Sequence, residues 1–191
     1  MTAIESPAKS SPAAAWREWL EEHGPKLFLF ARNQTRTHED AQDVLQDAVV
    51  KLVEKIRARE FVGGQNAWQP YLYATIRRLA IDLSRKDDRR KRREDNVSAD
   101  LEAEQFEICH PWFDSNDGDD ETRSQLETAL KSLPEKFSEV IIMKIWGERT
   151  FAEIGEALGI SQNTAASRHR YGLEALKREL GSARRRGDLS I

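Results

Sequence analysis

Cysteine is almost missing from this chain: Cys109 stands alone. No internal disulfide can form, a thiolate metal cluster within one chain is excluded, and Cys109 beside His110 reads as a solvated thiol rather than a ligand pair. Long apolar runs are missing as well. Nothing approaches the roughly 20 residues a spanning helix needs, and the start MTAIESPAKSSPAAA lacks the continuous hydrophobic region of a secretory signal. A cytoplasmic protein with no membrane insertion is expected. Alternating β-branched runs are few, so no sheet is expected. No Ser or Cys nucleophile accompanies a His and an orienting acid, and no Gly-rich loop could cradle a phosphate. The sequence therefore predicts no enzyme, no catalytic residues, no metal and no cofactor.

What is present is charge and helical periodicity. Charged residues make up 33% of 191 positions, with apolar residues in short stripes, a balance that points to a soluble all-α protein large enough for two small cores. The formal net charge of -3 on its own argues against a nucleic-acid partner, but the distribution of the charge reverses that argument. Arg77, Arg78, Arg85, Lys86 and the basic run over 89–93 form one block. Lys177, Arg178 and Arg184 to Arg186 form a second. Between them, from Glu94 to Glu121, stand eleven acidic residues and no Lys or Arg. The organisation expected is a disordered leader (1–11), an N-terminal helical domain (12–93), a flexible acidic linker (94–121), a C-terminal helix-turn-helix domain (122–186) and a short tail (187–191).

In the first domain, Ser11 and Pro12 open a helix expected to stop at Gly24, with Pro25 starting a second short one. Thr37 is placed to cap a helix whose inner face carries Val44, Leu45, Ala48, Val49, Leu52, Val53 and Ile56. Its other face carries Asp43, Gln46, Asp47, Val50 and Glu54, and an apolar Val50 in that polar stripe is an anomaly. REFVGGQN breaks the pattern, and Asn66 can cap the next helix, whose inner stripe is Trp68, Tyr71, Leu72, Thr75, Ile76, Leu79, Ala80 and Leu83. Arg77, Arg78, Ser84, Arg85 and Lys86 fall mainly outside that stripe. The linker holds too few apolar residues for a third core, although Phe106, Ile108, Trp112 and Phe113 could dock.

The second domain begins near Thr122 with Leu126, Ala129, Leu130 and Leu133 on one helix and Phe137, Val140, Ile141 and Ile145 on the next. The stretch TFAEIGEALGISQNTAASRHRYGLEALKREL is then read as two helices joined by a tight turn. Thr150 caps the first, Ile154 and Leu158 point inward, Gly159 makes the turn, Ile160 anchors it and Ser161 caps the second. At about 100° per residue, Ala165, His169, Gly172, Leu173, Leu176 and Leu180 fall inward on that second helix. Asn163, Ser167, Arg170, Tyr171 and Arg178 point away. Amide, hydroxyl and guanidinium groups on outward N-terminal turns are those that bond base edges and phosphates in a major groove.

These motifs, in this order, resemble an extracytoplasmic-function (ECF) sigma factor, the two-domain minimal form of the sigma subunit of bacterial RNA polymerase. The carrying segments are DAQDVLQDAVVKLVEKI, WQPYLYATIRRLAIDLSR, LPEKFSEVIIMKIW, FAEIGEALGIS and TAASR. The resemblance implies a protein that binds core polymerase, through the β′ clamp helices and the β flap, and directs initiation at chosen promoters. Asp43, Gln46, Asp47, Val50 and Glu54 would dock on the polymerase. Asn66, Trp68, Arg77, Arg78, Asp82, Arg85 and Lys86 would meet and help melt the downstream promoter element, with the REFVGGQN loop capturing an unstacked base. Gln162, Asn163, Thr164, Ser167, Arg168, Arg170 and Tyr171 would read the upstream element. The acidic linker would lie in channels that otherwise hold nucleic acid, and an anti-sigma factor is a further expected partner. Ala165, Ala166, His169 and Gly172 depart from the residues common in the family. Two other readings fit the residues: a stand-alone helix-turn-helix regulator, and an adaptor that meets acidic protein surfaces.

Overall fold

The computed structural model describes residues 12–94 and 120–186. The leader, the linker over 95–119 with Cys109 and its aromatic residues, and the tail lie outside the described residues. Among those described there are seven α-helices, one 3₁₀ turn and no strand: α1 Pro12–Gln34, α2 His38–Arg57, the turn Gln65–Ala67, α3 Trp68–Glu94, α4 Asp120–Ser132, α5 Glu135–Ile145, α6 Phe151–Leu158 and α7 Gln162–Arg186.

Local chemistry explains most boundaries. Thr37 caps α2 by accepting the Asp40 N–H at 3.0 Å. At α6, Thr150 accepts the Glu153 N–H while the Glu153 carboxylate takes the Thr150 N–H at 2.7 Å, a reciprocal capping box. Although partial burial pushes the Glu153 carboxyl up, the Thr150 N–H and hydroxyl and the Arg149 guanidinium hold it below its ordinary range. Gly159 sits at φ 67°, the left-handed conformation that ends α6 at no side-chain cost, and the Ser161 hydroxyl accepts the Thr164 N–H to open α7.

Four expectations need correcting. No break occurs at Gly24 and Pro25; α1 runs through both. Pro25 forfeits one helical hydrogen bond, but Trp19 on one side of it and Leu27, Leu29 and Phe30 on the other are all buried, so packing carries the helix through the proline. Asn66 does not cap α3, because it lies within the 3₁₀ turn that precedes it. Ile145 is 47% exposed, whereas Ile142 and Met143 are fully buried. Leu173 is also on the outside, at 37% exposure; it sits about 80° around the wheel from Ala165, at the margin of the buried stripe.

The core is continuous across both halves of the chain. Trp19, Leu27, Phe30, Leu52, Leu72, Tyr73 and Ile76 belong to the same buried cluster as Leu130, Val140, Ile141, Met143, Ile154 and Leu176. Helix α5 lies at its centre, packed on α1 from the first half and on α7 from the second, while α3 packs on α6. Such a helix is buried on every side over its middle turns, from Ser138 to Met143, with the apolar run VIIM at the centre.

Candidate nucleic-acid interface

Helix α2 turns its expected inner face into the core and leaves Asp43, Gln46, Asp47, Val50 and Glu54 exposed together. Val50 keeps 46% of its surface in water. A patch of carboxylates and amides around one aliphatic side chain needs nothing from the fold, which leaves it free for a partner.

Helix α3 begins in a cluster of three tryptophans: Trp68 packs edge-on against Trp16 at 4.9 Å and Trp19 at 5.5 Å between ring centroids. That anchors the loop before it. Gly63 and Gly64, both at positive φ, let the loop turn back sharply, and Val62 at its tip is 90% exposed. The loop and the start of α3 line a cavity of about 950 Å³ with Phe61, Asn66, Pro70 and Tyr71 on one side and Glu153, Glu156 and Ala157 of α6 on the other. Further along, Arg78, Asp82, Arg85 and Lys86 are exposed, and Asp82 lies 4.0 Å from Arg85. Arg77 is different, since its Nε donates to Glu139 of α5 at 2.9 Å.

On α7, Gln162, Asn163, Thr164, Ser167, Arg170 and Tyr171 are exposed, and no acid stands in the first turn. A helix N-terminus of this kind favours phosphate. Thr164 shares its hydroxyl with Ser161 at 2.8 Å, so its side chain is partly committed to the cap. Arg170 lies over the Tyr171 ring, 4.8 Å from the centroid, with a guanidinium N–H donating to the phenol oxygen at 3.0 Å. That stack holds a cation and an aromatic face on the exposed side of the helix. Arg168 instead reaches inward and donates to Glu139 at 3.4 Å.

Sequence reasoning missed Glu139, Tyr73 and Gln69, all buried. Glu139 retains 1% exposure with an arginine from each half on its two oxygens. Burial pushes its carboxyl up from the ordinary range, against the hydrogen bond and charge of Arg77 and the charge of Arg168. Tyr73 lies at the edge of the expected stripe of α3, beside Ile76 and Ala80, and burial pushes its phenol up to about 12. The readable signal was the run Val140–Met143 in α5, four consecutive apolar residues that cover every side of a helix and so require a neighbour on each.

Comparison with known proteins agrees with this arrangement. Residues 19–90 match the Sigma-70 region 2 family and residues 129–178 match Sigma-70, region 4. The ECF RNA polymerase sigma factor SigE of Mycolicibacterium smegmatis is 23% identical over 166 residues, 85% of this chain and 60% of that protein. RNA polymerase sigma factor SigV of Bacillus subtilis is 24% identical over 161 residues, 84% of this chain and 88% of that one. The chain thus spans less than two thirds of the first relative and most of the second. In fold it resembles the sigma factor RpoE from Bartonella quintana, seen in complex with the anti-sigma factor NepR, with a TM-score of 0.67 at 23% identity over 87% of this chain and 97% of that one. With region 2 followed by region 4 on one helical chain, and with these relatives, the protein belongs to the ECF sigma factors.

Proposed function

We infer that the protein binds core RNA polymerase and confers promoter choice on it, as a dissociable initiation subunit with no catalytic role of its own, working where the polymerase works, in the cytoplasm. The observation that carries this reading is the order of the two matched regions, each bearing an exposed face of the chemistry its role requires. Asp43, Gln46, Asp47, Val50 and Glu54 form the polymerase-docking face. The loop at 61–67 with Asn66 and Trp68, and the α3 surface of Arg77, Arg78, Asp82, Arg85 and Lys86, engage the downstream element as it melts, since cationic groups track backbone and an apolar pocket accepts an unstacked base. The N-terminal turns of α7, with Gln162, Asn163, Thr164, Ser167, Arg168, Arg170 and Tyr171, serve the upstream element. An anti-sigma factor would act by covering one of these faces.

Run-off transcription tests the reading: purified core polymerase and this protein are presented with a library of promoter fragments. Discrete transcripts that depend on the protein are expected. Binding of a two-fold operator without polymerase, and no transcripts, would instead identify a stand-alone regulator.

A further inference from the structure

We propose that Glu139 is an interdomain latch: in the polymerase-free protein its carboxylate holds Arg77 of the downstream-element helix against the C-terminal half, and core polymerase must release it before that element can be engaged. This rests on the function proposed above and concerns its regulation.

Arg77 and Arg168 come from α3 and α7, and each donates to a different oxygen of one carboxylate with 1% exposure. A charge that dry is stable only while its partners are present, so the pair joins the halves rather than decorating them. Other contacts cross the same seam. Ser138 donates to the Asn33 side-chain oxygen at 3.1 Å, and Lys26 lies 3.5 Å from Glu148. Gly147 has no room for a side chain, because a Cβ there would fall 2.6 Å from the Tyr73 hydroxyl. Tyr73 in turn packs edge-on against Phe30, 4.9 Å between centroids.

The consequence for nucleic acid is asymmetric. At the loop over 61–67, the facing wall of the cavity carries Glu153 and Glu156, carboxylates that repel a phosphate backbone. Arg77 is occupied by Glu139. The outward turns of α7 stay open, with Gln162, Asn163 and Thr164 exposed. The closed form therefore occupies Arg77 of the downstream reader and sets carboxylates against its loop, while the upstream reader stays presented. When the halves part, Glu139 keeps Arg168 within its own half, and Arg77 becomes a free cation on α3.

Lys26 and Glu148 face each other across the seam and lie outside the proposed binding faces, so they serve as a proximity probe in the full-length chain. With Cys109→Ser to remove the native thiol, Lys26→Cys and Glu148→Cys are joined by a short bismaleimide. The free protein should cross-link within one molecule, and core polymerase should lower the yield at least fivefold. The cross-linked protein should lose at least tenfold in run-off transcription on a promoter that the parent uses. Glu139→Gln, with far-UV circular dichroism unchanged, should lower the yield in free protein several-fold. Arg77→Gln should do the same without touching Arg168, which covers the case where Glu139→Gln fails to fold. Full transcription by the cross-linked form, or yields unchanged in the folded Gln variants, would overturn the latch. If the parent yields no polymerase-dependent transcript, the sigma-factor reading has failed instead, and the yields of the two Gln variants still decide whether the latch exists.

Discussion

Val50 is a residue the fold does not use: it sits among Asp43, Gln46, Asp47 and Glu54 with 46% of its surface exposed. Val50→Asp with Asp47→Lys should therefore leave helical content and melting temperature nearly unchanged, while pull-down of core polymerase weakens at least tenfold; a lost helical signal would show that Val50 supports the core. Arg170 and Arg168 separate in the same spirit. Arg170 is exposed on its Tyr171 stack, so Arg170→Ala should cost upstream-element binding about 1 to 3 kcal/mol, read by gel shift, with a shallower salt dependence if a phosphate contact goes. Arg168→Ala instead strips a partner from buried Glu139 and should lower the melting temperature as well. His169 adds a pH dependence. Burial and then the Lys144 charge lower its pKa from 6.5, beside the Phe151 ring. The unfolded chain then takes up the proton first as pH falls, so the stability of the neutral form is complete above the unfolded pKa and declines below it. Melting temperatures compared at about pH 7.5 and about pH 5.5 should fall less for His169→Phe than for the parent, with the remaining decline from His23, which burial also lowers.

Elements divide by where their information lies. Helix α2, the capping box of α6 and the turn at Gly159 follow from neighbours in sequence, and Thr37, Thr150, Gly159 and Ser161 act as their residue types predict. The continuity of α1, the burial of Tyr73 and the exposure of Ile145 depend on what packs against them from the other half, and no local period carries that. The exposure of Asp43, Gln46, Asp47, Val50 and Glu54 on α2 and of Gln162, Asn163, Thr164, Ser167, Arg170 and Tyr171 on α7 was legible because polar residues recur there at helical spacing. Arg77 was read as lying outside the buried stripe and Arg168 as a reader of the upstream element, and the partner they share, Glu139, was missed because it is 62 and 29 residues away. Gly172 shows how packing reverses a propensity argument. By propensity alone it weakens α7, and alanine would gain up to about 1 kcal/mol. A Cβ at that position, however, would lie 2.9 Å from Ile141 Cδ1 and 3.1 Å from Phe137 Cβ, both on α5. Overpacking of this sort costs about 1 to 3 kcal/mol. The clash should win, so Gly172→Ala is expected to lower the melting temperature; a rise would mean that α5 and α7 separate at little cost.

At the scale of the molecule, two matched regions share one core, and that arrangement governs how the chain should unfold. Leu27, Phe30 and Tyr73 from the first half are as deeply buried as Val140, Ile142 and Met143 from the second. Helix α5 lies between α1 and α7, and cutting the chain in the linker would leave its α1-facing side in water. The loss of that cover should outweigh the gain in chain entropy, because apolar burial stabilises by roughly 25 cal/mol per Å². The intact protein is therefore expected to unfold in urea as one cooperative transition, with coincident curves from tryptophan fluorescence and circular dichroism. Trp16, Trp19 and Trp68 report the first half and Trp146 the second, so fluorescence samples both. A fragment covering 120–191 should melt at least about 5 °C below the intact chain, the shift that roughly 1 kcal/mol produces in a unit this small. Adding the complementary 1–94 fragment should restore part of the difference. Two separated transitions in the intact chain, with the fragment melting at the midpoint of one of them, would mean that the seam contributes little in solution and that the two regions are independent before any polymerase arrives.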